Sequence, residues 1–133
     1  MKSVNARMVR GLPMGAWVEP CDNSGAKVVK IFGLKRAKVI KGRTPSAAIG
    51  DMVWVSVKKG RPDMRKQVFL AVVVREKKPF RRPDGMRVQF EDNSVVIVKD
   101  EQANPKGTMI KGPIPKEVCD RWPPIAKLAK IVV

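Results

Sequence analysis

The fold class this sequence predicts is mainly β: a small closed barrel followed by a short helical part. Three observations support this. Short Val- and Ile-rich runs recur between clusters of Gly, Pro, Asn and Asp, the punctuation of strands and turns rather than of βαβ units. Nothing before Pro113 carries helical periodicity. After it the chain changes character, with Pro115 and the pair Pro123-Pro124 framing short amphipathic runs.

Residues 1 to about 12 read as a loosely ordered lead-in. Ala16–Glu19 is a short strand, and Asp22-Asn23-Ser24-Gly25 is a turn built of residues that tolerate left-handed dihedrals. Lys27–Phe32 is the next strand. In Met52–Lys58 alternation puts Val53, Val55 and Val57 on one face and Trp54 and Ser56 on the other. Val68–Arg75 is almost continuously apolar, as a strand buried on both faces requires. Arg87–Phe90 and Val95–Lys99 complete the set, with a short extension at Thr108–Ile110. Val53, Val55, Val57, Val72, Val74, Val96 and Val98 are the expected core. Pro115 suits the first turn of a helix, Glu117 and Arg121 suit its dipole, and Pro123-Pro124 is expected to stop it. A second short helix over Ile125–Lys130 follows. Both are too short to stand alone and are expected to dock through Val118 and Trp122. The whole chain, 1–133, reads as one domain, with a barrel over about 16–112 and a helical part over 113–133.

Charge is the strongest functional signal. The chain holds 28 Lys+Arg against 12 Asp+Glu, a formal net charge of +16. Between Lys35 and Arg87 there are 16 basic and 4 acidic residues, so three quarters of the excess lies in the middle of the chain. A merely solubilising surface mixes its signs more evenly. The cations fall in three connections between strands. The first carries Lys35, Arg36, Lys38, Lys41 and Arg43; the second Lys58, Lys59, Arg61, Arg65 and Lys66. The third, between the strands at Val68–Arg75 and Val95–Lys99, carries Arg75, Lys77, Lys78, Arg81, Arg82 and Arg87 around a Pro83-Asp84-Gly85 turn. Lys106 and Lys111, beyond the last barrel strand, join this candidate set. Like charges crowded on one loop gain nothing for the fold, whereas a polyanion neutralises them. Phosphate oxygens accept from Lys and Arg, and Arg binds them bidentately. The chain has no Tyr, and of its four Phe and three Trp only Phe80 sits inside a basic loop, either to stack on a base or to anchor the loop. Phosphate- and shape-directed binding of folded RNA is therefore expected over base reading.

Other chemistries find little support. There is no His, so the commonest general base near neutral pH is missing. No Gly-rich phosphate loop occurs, and Cys21 and Cys119 belong to no metal-ligand pattern. Glu91-Asp92 and Asp100-Glu101 read as solvated or turn-capping acids, and Asp84 as a turn former. No secretory leader or membrane-spanning run is read, which leads to a cytoplasmic protein with no cofactor, metal or small-molecule substrate. The rivals are a free-standing OB-like binder of single strands and an enzyme acting on nucleic acid.

A family resemblance sharpens the reading. Ala71-Val72-Val73-Val74, Asp84-Gly85, Phe90, Asn93 and Val96-Ile97, at their spacing, resemble the signature of the large-subunit ribosomal protein fourteen family. Asp22-Asn23-Ser24-Gly25-Ala26, Gly50-Asp51, Lys58-Lys59-Gly60 and Lys106-Gly107-Thr108 through Gly112-Pro113 extend the resemblance over roughly residues 15 to 133. The stretches GLPMGAWV and EVCDRWPPIA resemble the archaeal and eukaryotic branch, and the short N-terminal extension leans towards an archaeon. The resemblance implies a five-stranded, OB-like barrel with a projecting β-ribbon. It implies residence in the large ribosomal subunit at the subunit interface. The implied partners are large-subunit rRNA, small-subunit rRNA across that interface, and neighbouring ribosomal proteins. It also implies that the C-terminal segment, with Glu117, Asp120, Arg121, Lys127 and Lys130, faces protein partners including an anti-association initiation factor.

Overall fold

Alternating apolar residues dictate the architecture. A computed structural model describes residues 2–35 and 39–133. The elements, in chain order, are β1 (Leu12–Pro13), β2 (Trp17–Pro20), β3 (Ala26–Leu34), β4 (Ser46–Ala47), β5 (Met52–Gly60), β6 (Val68–Arg75), β7 (Phe80–Arg81), β8 (Arg87–Val88), β9 (Ser94–Val98), β10 (Pro113–Ile114), α1 (Lys116–Arg121), α2 (Pro123–Leu128) and β11 (Ile131–Val132). Among the described residues, β2, β3, β5, β6 and β9 close into a barrel in that order. Closure removes the open sheet edges that would otherwise pair with other chains. It is completed by a parallel contact, Glu19 and Pro20 of β2 against Ser94 and Val95 of β9.

The expected core is the observed one. Val53, Val55, Val57, Val72, Val74, Val96 and Val98 are all buried, and Trp54 and Ser56 lie on the opposite face of β5, half exposed. β6 is buried on both faces from Leu70 onward. The β-branched residues that dominate these strands suit a pleated, enclosed surface.

Three expectations are corrected. The lead-in is attached rather than loose: β1 pairs with β4, Leu12 is buried, and the Arg7 N–H donates to the Arg81 carbonyl at 3.1 Å. Its short apolar residues Ala6, Met8 and Val9 pack against the core without any periodic pattern. Thr108–Ile110 forms no strand, only an isolated bridge between Ile110 and Asp22. Pro123-Pro124 does not merely end α1. The pair opens α2 at its first two positions, where a missing N–H leaves no intrahelical bond unmade.

The helices dock as the sequence suggests. Val118 and Ile125 are fully buried, and the Trp122 indole N–H donates to the Gly50 carbonyl at 2.8 Å. The chain then returns as β11 alongside β10, in parallel.

Candidate nucleic-acid interface

Antiparallel pairing decides where each basic connection emerges. β3 and β5 are joined at the Leu34/Val53 end of their ladder, whereas β5 and β6 are joined at the Ser56/Val68 end. The first and second basic connections therefore leave opposite ends of β5. The ribbon, in which β7 pairs antiparallel with β8, departs from the Arg75 end of β6, on the same side as the first connection. The cations thus bracket the barrel rather than converge on one patch.

In the first connection, Lys35 is partly buried. It pairs with Glu101 and lies over the Trp54 ring at 5.5 Å. Lys41 and Arg43 are exposed. Arg36 and Lys38 lie outside the described residues.

The second connection is a tight turn plugged by buried Met64, which holds Lys58, Lys59, Arg65 and Lys66 in solvent. Arg61 donates to the Ser24 carbonyl at 3.0 Å and lies 3.6 Å from Asp63, so it also ties this turn to the Asp22–Gly25 turn. That neighbouring turn is itself cross-linked. Asp22 accepts from the Ile97 N–H, and Asn23 accepts from Thr108 and Met109 N–H groups. Lys106 is exposed and lies 5.2 Å from the Phe69 ring, and Lys111 is exposed.

The ribbon sorts its own charges. Lys77, Lys78, Arg81 and Arg87 are exposed, and none takes part in an ion pair among the described residues. Asp84 accepts from the Met86 N–H at 2.9 Å and so turns the tip, with Gly85 at φ +90°, a conformation L side chains avoid.

Arg75 and Arg82 correct the expectation that all six cations project. Arg75 is buried, with both arms on Asp92 at 2.9 and 3.1 Å and further bonds to Ser94 Oγ and the Lys111 and Pro113 carbonyls. Gly112 makes room for it, since a Cβ there would sit 2.5 Å from the guanidinium. Arg82 is buried on Glu117 at 2.7 and 3.2 Å and on the main-chain oxygen of Val133. Glu117 is buried with it, which corrects its assignment to the partner surface. Asp92, expected to be solvated or turn-capping, is instead the Arg75 partner. Burial acts to raise its carboxyl, but the hydrogen bonds from Arg75 and Ser94 outweigh this and hold it below the usual carboxylate range. On the C-terminal segment Asp120, Lys127 and Lys130 are exposed, while Arg121 pairs with Asp51 at 3.6 Å.

Phe80 is buried, 5.9 Å from the Arg82 guanidinium, so it anchors the ribbon and is unavailable to a base. Sequence reasoning missed Glu76. It is buried where the ribbon leaves β6, against the Gly11 main chain, with one carboxyl oxygen unpartnered. Burial pushes it up to about 8. Cys21 is raised to about 12 by burial and Cys119 is also raised, so both are poor thiolates.

A closed barrel whose buried arginines, each paired with a carboxylate, brace a ribbon of solvent-facing cations defines a class: small, strongly basic β-barrel proteins built as scaffolds for exposed charge. The particular family follows from comparison. Residues 11–133 match the model of the ribosomal protein L14p/L23e family, and the chain belongs to that family. It is 55% identical over its full length to the whole of the large ribosomal subunit protein uL14 of Nanoarchaeum equitans. It is also 50% identical, again with both chains fully covered, to that of Methanothrix thermoacetophila. The Methanococcus vannielii protein is 49% identical over 99% of each chain. These archaeal relatives bear out the branch read from the two terminal stretches.

Proposed function

We propose that this chain is a structural constituent of the large ribosomal subunit, that it binds large-subunit rRNA through its basic connections, and that it has no catalytic role. The observation that carries this is the ribbon, where Lys77, Lys78, Arg81 and Arg87 face solvent and make no ion pair among the described residues, while the buried Arg75 and Arg82, each paired with a carboxylate, hold their scaffold. Family membership supports the ribosomal assignment and a cytoplasmic site of action. Cations at both ends of the barrel fit a protein embedded among several RNA segments.

The exposed part of the C-terminal segment, with Asp120, Lys127 and Lys130, is the face for neighbouring ribosomal proteins and for an anti-association initiation factor. The ribbon is the element that reaches the subunit interface and small-subunit rRNA. The test is a salt titration of the purified chain on large-subunit rRNA. With about six to ten phosphates contacted, affinity falls roughly 10³–10⁵-fold between about 50 and 200 mM salt on the duplex-DNA scale. A flat response overturns the phosphate mechanism.

A further inference from the structure

The outer face of the barrel at β2, β3 and β5 holds a group that the basic connections do not explain. Trp17 is 56% exposed and Phe32 42% exposed, the largest exposures among the described aromatic residues. They belong to one neighbourhood. Trp17 stands directly opposite Lys30 in the β2–β3 ladder. Phe32 follows Lys30 by two residues and so shares its face, roughly 7–8 Å diagonally from Trp17. The ladder slips between Ile31 and Gly33, so Phe32 is the extra residue of a bulge that opposes Trp54. Trp54 is half-buried beneath Lys35. Three of the seven aromatic residues thus lie on one outward surface, interleaved with Lys30 and Lys35.

A lone exposed tryptophan needs no explanation, but aromatic rings alternating with lysines are a recognisable arrangement. Rings offer a face to a base of any sequence, and a neighbouring ammonium takes the phosphate of the same nucleotide. A protein partner would bury the lysines as well and would have to supply acids for them. The chain's +16 charge likewise favours a nucleic-acid occupant.

We propose that Trp17, Phe32 and Lys30 form a platform for one unpaired nucleotide of RNA, with the base stacked on the rings and its phosphate on Lys30. This rests on the rRNA-binding reading above and adds a stacking contact that sequence alone had assigned to Phe80, if to any residue.

The test uses the full chain with a 12-residue oligouridylate and with purified large subunits. Trp17→Ala weakens oligouridylate binding roughly 5- to 100-fold while the slope of log affinity against log salt stays unchanged. Trp17→Phe retains most of the affinity. Lys30→Gln lowers the slope by about 0.7. Circular dichroism that matches the parent chain certifies folding, and ultraviolet crosslinking of intact large subunits recovers the Trp17 peptide attached to a nucleotide. The platform is overturned by unchanged affinity in Trp17→Ala, by absence of oligouridylate binding in the parent chain, or by a Trp17 peptide crosslinked to protein. Each of those results leaves the salt titration on rRNA standing, whereas a flat titration there removes the larger reading by itself.

Discussion

Arg81 and Arg82 are neighbours in the chain, yet one faces solvent and the other is buried on Glu117 and the main-chain oxygen of Val133. The same division runs through the whole ribbon: Arg75 and Arg82 look inward, and Lys77, Lys78, Arg81 and Arg87 look outward. The inward pair joins the ribbon base to Asp92 and the β10 region, and its middle to the C-terminal helix α1. The outward set makes no ion pair among the described residues. Composition alone would count all six as ligands for a polyanion. The structure divides them by what each guanidinium or ammonium meets, and only the outward set is free to act on a partner.

That division can be broken most severely at Glu117. Its replacement by Ala leaves Arg82 buried with only the main-chain oxygen of Val133 as a hydrogen-bond partner and is expected to destabilise the chain by about 3–5 kcal/mol in denaturant unfolding. Replacing the pair together, Arg82→Met with Glu117→Leu, is expected to restore most of that stability. The pair would then be replaceable scaffold rather than a required charge.

Glu76 gives the next effect, and it depends on pH. Its folded value, about 8, stands above its ordinary 4.5, so the folded chain binds the proton more tightly. Stability contributed by that proton is present below about 4.5 and is lost as pH rises towards and through about 8. Glu76→Gln should abolish this alkaline loss, so that its unfolding midpoint exceeds the parent's at pH 9. Equal midpoints at pH 6 and 9 in the parent chain would contradict the assignment.

Asp92 works in the opposite sense and more weakly, because it is partly exposed. Its lowered value means that its contribution is present above the ordinary carboxylate range and disappears as pH falls through the folded value. Asp92→Asn keeps the Arg75 bonds to Ser94 and the two carbonyls, and should cost about 1 kcal/mol at neutral pH. At the bottom of the scale, Arg81→Ala should change stability by no more than about 0.5 kcal/mol. A large loss there would erase the distinction between the two arginines.

Much of this was legible in the chain. Alternation in Met52–Lys58 revealed which face of β5 is buried, since period two is a local property. The docking of Val118 and Trp122 was legible because two short amphipathic helices have nowhere else to put their apolar side. The burial of Arg75, Arg82 and Glu117 was not. Each depends on a partner 17 to 51 residues away, and nothing in the local pattern distinguishes a cation that will meet a carboxylate from one that will meet water. Gly112 was the one faint signal, a small residue where a guanidinium must pass. The packed lead-in escaped notice because residues 2–11 carry no strand or helix period, only isolated apolar contacts.

The central claim is that RNA neutralises the outward cations, and lysine reactivity tests it most directly. The free chain and purified large subunits would be treated with an amine-acetylating reagent and compared residue by residue by mass spectrometry. Lys58, Lys59, Lys77 and Lys78 are expected to react in the free chain, to be protected in the subunit, and to regain reactivity after ribonuclease digestion. Full reactivity of those lysines within intact subunits, or protection that survives digestion, would contradict the account.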